Sequence, residues 1–408
     1  MRVVVATESR CLRTPDGRVW IQAGPDHRIW ARYLSVFTHV RIVARVLDVP
    51  VTPAGALRVD GDGVEVWPVP YYVGPRQYLL RRPSIKRAVR AATSPRDAVI
   101  LRVPSPIGSL LADAREQQGL PYALEVIGDP YDVFAPGVVR HPLRPVLRRA
   151  SVRRLRQQCR RAAAVAYETE RHLQRRYPAR PGAPTAAVSS ADLPPAAYVP
   201  LPRPAPEPGS TPRIVSIGSL EQMYKGVDTL LTALARLAAT GLRPRLVHVG
   251  DGRFRPQLEH LADRLGVAEQ VTFAGILPTT EDVRRRLDAA DLFAMPSRTE
   301  GLPRALIEAM ARGLPAIAST VGGVPELLAA EDLVPPGDAE ALATAIRTCL
   351  TDPGRMAAAS ARNLTRSRDF SAEFLTPRRT AYYRAVAEAT DGAGRASRSG
   401  GPVTSATR

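Results

Sequence analysis

Lysine is nearly absent from this chain: Lys86 and Lys225 stand alone against 55 arginines among 408 residues. An arginine excess of this kind is a mark of GC-rich coding and carries no functional content, but it makes each surviving ammonium a position to inspect. Cysteine is scarce as well. Cys11, Cys159 and Cys349 are odd in number and far apart, which excludes a disulfide framework and a zinc site and fits a reducing cytosol. No run approaches the roughly 20 apolar residues that a membrane-spanning helix needs. The opening Met1-Arg2-Val3-Val4-Val5-Ala6-Thr7-Glu8 turns polar within a few residues and reads as a first strand, not a secretion signal. The expected location is cytoplasmic.

What is present is a globular composition, 45% hydrophobic and 24% charged, which excludes wholesale disorder. The length predicts two domains. The net charge of +18 is uneven: residues 1–210 carry 32 basic and 17 acidic side chains, residues 211–408 carry 25 and 22. The basicity belongs to the first half.

Periodicity predicts a doubly wound α/β fold in both halves. In the second, short apolar strands at 213–217, 246–249, 271–273, 292–295 and 315–319 alternate with amphipathic helices, the last of them beginning at Pro325. Continuous apolar strands of this kind belong to a parallel sheet covered on both faces. The first half repeats the rhythm, with strands at 2–6, 40–46, 98–103, 121–127, 163–167 and 185–188 and helices near 25–37, 76–93, 106–118, 140–161 and 169–176. Alternation around Asp60-Gly61-Asp62-Gly63 predicts a hairpin over 57–69. The expected domains are 1–200 and 213–370, joined by a proline-rich linker at 201–212, with a disordered tail over 390–408. Two such sheets place a cleft between their C-terminal edges, where ligands of this architecture bind.

Three loops in the second half carry the chemistry. Gly218-Ser219-Leu220-Glu221-Gln222-Met223-Tyr224-Lys225-Gly226 sets a lysine before a helix. Ser297-Arg298-Thr299-Glu300-Gly301-Leu302-Pro303 opens a helix that contains Glu308, and Val321-Gly322-Gly323-Val324-Pro325-Glu326 offers two glycines before a proline. A cation, glycines and helix N-termini on one sheet edge suit a diphosphate. Glu308 is placed to accept hydrogen bonds from two adjacent ribose hydroxyls.

Taken in order with Val249-Gly250-Asp251-Gly252, Phe273-Ala274-Gly275 and Ala309-Met310-Ala311-Arg312-Gly313-Leu314-Pro315, these loops resemble the retaining nucleotide-sugar glycosyltransferases of family 4. The resemblance is strong over about 213–350 and loose elsewhere. It implies a GT-B fold, with the nucleotide sugar on the second domain, the acceptor on the first, and a final helix at about 371–388 crossing back to the first. It implies that Lys225 contacts the donor diphosphate beside Gly218 and Ser219. Glu300 would lie against the donor sugar, with Gly301 and Leu302 giving backbone contacts, Glu308 would hold the ribose, and Gly275 and Ile276 would flank the base. The nucleotide diphosphate sugar is a co-substrate, and no other cofactor or metal is implied.

The chain departs from the family in two places. Ser219 stands where an arginine is usual, leaving Arg298 or Arg304 as replacements, and Pro303 stands where glycine is common. The family's first-domain histidine is also missing. Its stretch corresponds to Leu124-Glu125-Val126-Ile127-Gly128-Asp129-Pro130, where Asp129 is the candidate to orient the acceptor and a turn-capping role is the alternative. Asp60-Gly61-Asp62 reads as turn residues in place of a metal triplet.

Nine arginines between 140 and 161, interleaved with Leu143, Val146, Leu147, Val152 and Leu155, predict a basic amphipathic helix. Such a helix suits the anionic inner face of a membrane or an anionic acceptor. The expected partners are a nucleotide-sugar donor and an acceptor saccharide, lipid-linked saccharide or small-molecule aglycone. A nucleic-acid-binding protein would explain the charge and leave the three loops unexplained. A phosphorylase or sugar-nucleotide epimerase shares the fold and is the alternative within it.

Overall fold

The computed structural model of the chain describes residues 1–134, 142–204, 206–207 and 209–399, with side chains to 393. The first sheet holds β1 (Arg2–Arg13), β2 (Val19–Ile21), β3 (His39–Asp48), β4 (Leu57–Arg58), β5 (Val64–Pro70), β6 (Ala98–Val103), β7 (Ala123–Val126), β8 (Val165–Tyr167) and β9 (Thr185–Ala187). Its parallel strands run in the order β5-β3-β1-β6-β7-β8-β9, and β2 and β4 add antiparallel to the far end of β1. Both faces are covered. Val4 and Ala6 pack into one core and Val3 and Val5 into the other, which is why the strand reads as an unbroken apolar run.

The second sheet is wholly parallel, β12-β11-β10-β13-β14-β15. Its strands are β10 (Arg213–Ile217), β11 (Arg245–Val249), β12 (Val271–Phe273), β13 (Leu292–Met295), β14 (Ala316–Ser319) and β15 (Leu333–Val334). Ile214 and Val215 again face opposite cores. Each sheet reverses its winding beside its first strand, between β1 and β6 and between β10 and β13. Those are the switch points, where a crevice opens at the C-terminal strand ends.

The last helix, Ala372–Ser399, returns to the first domain. Tyr382, Tyr383 and Val386 are buried in its core, and the Tyr382 hydroxyl donates to the Leu124 carbonyl at 2.8 Å. The helix continues through 390–399, where a disordered tail is expected; residues 400–408 lie outside the described ones. The proline-rich segment is fastened to the second domain: Arg203 donates to the carbonyls of Arg312 (2.6 Å) and Ala290 (2.9 Å) and pairs with Asp288.

Other expectations need correction. There is no hairpin over 57–69: β4 pairs with β2, and β5 lies parallel to β3 at the sheet edge. Asp60 is occupied there, accepting from the Val19 amide at 3.0 Å. The helix expected over 25–37 is a short helix, His27–Ala31, followed by a 3-10 turn. The helix expected from Pro325 is only a 3-10 turn, Val324–Glu326. The basic helix runs Arg144–Arg161, and Arg140 lies outside the described residues. Among the described residues no helix is long and apolar enough to cross a membrane.

Candidate active site

The lysine loop follows β10 and the Glu300 loop follows β13, so the two flank the switch point of the second sheet. Glycine makes this approach possible. Gly226 has φ +68°, and a Cβ there would stand 1.9 Å from the Pro296 carbonyl oxygen. The stem of Lys225 lies over Gly218, where an added Cβ would come within 3.0 Å of it. Lys225 Nζ then reaches Glu300 Oε1 at 2.7 Å, and the Ser297 hydroxyl donates to the same oxygen at 2.6 Å. Both side chains are mostly buried, at 20% and 9% exposure. The amides of Gly301 and Leu302 donate no hydrogen bond among the described residues. The site thus offers a cation and unoccupied N–H groups beside a carboxylate, the arrangement that holds a diphosphate next to a polar group.

Arg298 does not supply the missing second cation. It grips Asp228 with two hydrogen bonds (2.9 and 2.7 Å) and the Met223 carbonyl with a third (2.6 Å), bracing the turn that carries Lys225. Arg304 stays exposed, 3.7 Å from Glu308 on the helix Arg304–Ala311. Burial raises the Glu308 carboxyl above the usual range, and the charges of Arg304 and Arg284 oppose that shift. Ser219 is exposed and its hydroxyl closes a turn with the Glu221 amide at 3.2 Å. Gly275 joins the site through its carbonyl, which accepts from the Gly250 amide at 2.9 Å, and Ile276 beside it is 80% exposed, an apolar shelf at the rim.

His248, on β11, is a site residue that sequence reasoning missed. Its Nε2 lies 3.0 Å from the Gly218 carbonyl, which can only accept, so Nε2 carries the proton and Nδ1 accepts from the Ser216 hydroxyl at 2.7 Å. Burial pushes its pKa down to about 4, so the ring is neutral at pH 7 and acts as a strut under the lysine loop. No local signal marks it, since a lone histidine in an apolar strand is commonplace.

The glycine pair meets the Glu300 loop and the first domain. A Cβ on Gly322 would stand 2.0 Å from the Glu300 carbonyl oxygen, and one on Gly323 would stand 3.0 Å from Thr169 Cγ2. Glu326 crosses the cleft. Its carboxylate accepts from the amides of Glu170 (2.6 Å), Arg171 (3.0 Å) and His172 (2.5 Å), and Arg366 pairs with Glu170 beside it at 2.9 Å.

Asp129 is not available to an acceptor. It caps the turn Pro130–Val133 through the Tyr131 amide (2.8 Å), and its two oxygens take hydrogen bonds from Arg176 and the Tyr177 hydroxyl. Burial works to raise its pKa, but the His172 ring 3.5 Å away, the Tyr177 hydrogen bond and the charge of Arg176 hold it below the usual value. The capping alternative describes it. The first-domain carboxylate that does face the Glu300 loop is Glu168, at the end of β8, whose Oε2 is 3.5 Å from where a Cβ on Gly301 would stand. Burial raises its pKa, against a hydrogen bond from Ser190 and the charge of Arg102.

Residues 211–352 match the protein family described as glycosyl transferases group 1, and this part of the chain is a domain of that family. Over 322 residues the chain is 27% identical to protein CapJ of Staphylococcus aureus, covering 77% of this chain and 78% of that protein. It is 36% identical over 160 residues to the GDP-mannose-dependent alpha-(1-6)-phosphatidylinositol monomannoside mannosyltransferase of Mycolicibacterium smegmatis, covering 37% of this chain and 41% of that enzyme. Among solved structures, sucrose-phosphate synthase of Thermosynechococcus elongatus superposes with a TM-score of 0.70 over 95% of this chain and 100% of that one, at 19% identity. The fold is GT-B.

Proposed function

We propose that this chain is a retaining glycosyltransferase of family 4. It would move a sugar from a nucleotide diphosphate sugar to an acceptor hydroxyl, in the building of surface glycans, lipid-linked saccharides or natural products. The observation that carries this reading is the Lys225–Glu300 contact of 2.7 Å at the switch point of the second sheet. A GDP-mannose-dependent relative supports a nucleotide-sugar donor, and the donor base here is open.

The chemistry follows from charge. The bond to be broken joins the anomeric carbon to the diphosphate, and negative charge grows on the leaving phosphate as the sugar becomes oxocarbenium-like. Lys225 and the Gly301 and Leu302 amides would stabilise that charge and do the neutralising a metal would otherwise do. Lys225 holds Glu300 before the donor arrives. The diphosphate would draw the ammonium, turning Glu300 toward the sugar hydroxyls, while Glu308 accepts from the ribose diol. Reaction on one face, with the leaving phosphate taking the acceptor proton, gives retention and needs no covalent nucleophile.

On the first domain the basic helix has a divided surface. Arg154 and Arg161 pair with Asp113 and Glu116, and Arg148 lies over the Tyr131 ring. Arg149, Arg153 and Arg160 have no side-chain partner among the described residues, and Val146 is 63% exposed. These groups are the ones to meet an anionic membrane. Incubating the full chain with UDP- and GDP-sugars tests the reading: release of nucleotide diphosphate, and an acceptor-dependent product whose anomeric configuration matches the donor, are expected. Inversion would overturn retention, and binding of none of the donors would overturn the assignment.

A further inference from the structure

We infer that the acceptor is a neutral sugar, and that Glu168 orients the hydroxyl that attacks the donor. The inference rests on the glycosyl-transfer reading and adds to it the acceptor class and a residue to hold it.

The first domain contains a partly open cavity of about 50 Å³ at the C-terminal ends of β6 to β9. Its walls include Tyr33, Arg102, Glu125, Glu168, Ser190 and Arg379. Strand ends of this kind are where a parallel sheet takes ligands. The cavity also lies against the Glu300 loop. Glu168 is in its wall, and the carbonyl oxygen of Ile127, another wall residue, is 3.6 Å from the Cβ position of Gly301, next to the 3.5 Å approach of Glu168 Oε2. The Ser190 hydroxyl donates to Glu168 Oε1, which fixes the carboxylate and leaves Oε2 on the side of Gly301.

The lining selects the ligand. The three arginines are balanced by three carboxylates: Arg102 lies 3.4 Å from Glu125, Arg32 and Arg379 share Asp192 at 2.9 and 3.2 Å, and Glu168 is the third. A phosphate or carboxylate would enter a site with no surplus positive charge. A neutral polyol meets no such penalty, because each hydroxyl both donates and accepts. A water needs roughly 10–15 Å³ of such space, so the cavity has room for a few hydroxyl-sized groups.

In the transfer the acceptor oxygen bonds to the anomeric carbon as that carbon's bond to the diphosphate oxygen breaks. The hydroxyl proton passes to the leaving phosphate. Glu168 accepts a hydrogen bond from a neighbouring hydroxyl of the acceptor, which aims the attacking one, and ends the step unchanged.

The test uses the full chain saturated with UDP or GDP and titrated with methyl glycosides of glucose, galactose, mannose and rhamnose, and with glucose 6-phosphate, followed by saturation-transfer NMR. At least one neutral glycoside should bind better than the sugar phosphate. Glu168→Gln, isosteric and still able to accept from Ser190, should weaken that binding about tenfold or more, the range for losing a hydrogen bond to a charged group. Nucleotide affinity and thermal midpoint should not change. Stronger binding of glucose 6-phosphate, no glycoside binding at all, or an unaltered Glu168→Gln variant would each overturn the inference. Failure of the wild-type chain to bind UDP or GDP would instead bring down the glycosyl-transfer reading.

Discussion

Lys225 Nζ stands 2.7 Å from Glu300 Oε1, although 75 residues separate the two in sequence. The contact joins the loop after β10 to the loop after β13 and sets the only lysine of the second half against the carboxylate that precedes Gly301. Cation and anion hold each other in place until a ligand carrying its own charge divides them.

Lys225→Ala should therefore fold and lose about 10²–10³-fold in turnover, the loss expected for one key electrostatic donor. Steady-state rates on the donor that the wild-type chain hydrolyses or transfers check this. Near-wild-type turnover would remove the lysine from the phosphate site.

The two glutamates should separate by ligand. Glu308→Gln should weaken binding of the free nucleotide diphosphate itself, and Glu300→Gln should spare it while lowering transfer. Calorimetry with UDP and GDP distinguishes them, and the reverse pattern would exchange the two roles.

His248 makes the second domain acid-sensitive. Its folded pKa of about 4 lies below the unfolded 6.5, so as pH falls below 6.5 the unfolded chain takes up the proton first. The stability that the neutral ring contributes is complete above pH 6.5 and drains away as pH falls toward 4. By pH 4.5 the loss should reach about 2–3 kcal/mol. Urea titrations at pH 7 and 4.5 should show this extra loss in the wild type and not in His248→Gln; equal losses would mean the ring is not buried as a neutral strut.

How much of this was readable beforehand depended on the range of the interaction. Strands such as 213–217 and 98–103 declare themselves because both faces are buried and consecutive residues, Ile214-Val215 and Ala98-Val99-Ile100-Leu101, are apolar. The segment 57–69 misled because Val64-Glu65-Val66-Trp67 alternates for a different reason: β5 is an edge strand, and its outward residues meet solvent whether its neighbour is parallel or not. The site loops were legible because their chemistry is local, a lysine before a helix and a glutamate after a strand. Asp129 was not, since its partners Arg176 and Tyr177 lie 47 and 48 residues away. Glu168 and Glu326 were missed as functional groups for the same reason: their meaning comes from the opposite domain.

Glu326→Ala should loosen the cleft. It removes three amide-to-carboxylate bonds that span the two domains, and bonds to charged groups are worth about 1.5–3 kcal/mol each. A larger radius of gyration by X-ray scattering, with transfer reduced at least about tenfold and nucleotide affinity retained, is the expected outcome. An unchanged radius and rate would leave Glu326 as a simple helix cap.

Changing Arg149, Arg153 and Arg160 to Gln should reduce flotation with anionic vesicles, as should added salt, since each arginine near such a surface contributes about 1 kcal/mol. A wild-type chain that stays wholly in solution at low salt would assign the basic helix to solubility alone.

The first domain has a switch point of its own between β1 and β6, and there the helix Pro106–Gln117 begins with its amides directed at the crevice. Glu8 already occupies it: Oε1 accepts from the Ile107 amide (2.9 Å) and the Ser105 hydroxyl (2.8 Å), and Oε2 from the Tyr72 hydroxyl (2.6 Å). A phosphate approaching that helix would meet a carboxylate held by three donors. Two sheets of the same winding are thereby made unequal, one with its anion seat taken by its own chain and the other with its seat open. On the proposed reading a nucleotide would therefore seat in one orientation across the cleft, with the sugar it carries turned toward the domain whose helix is already satisfied.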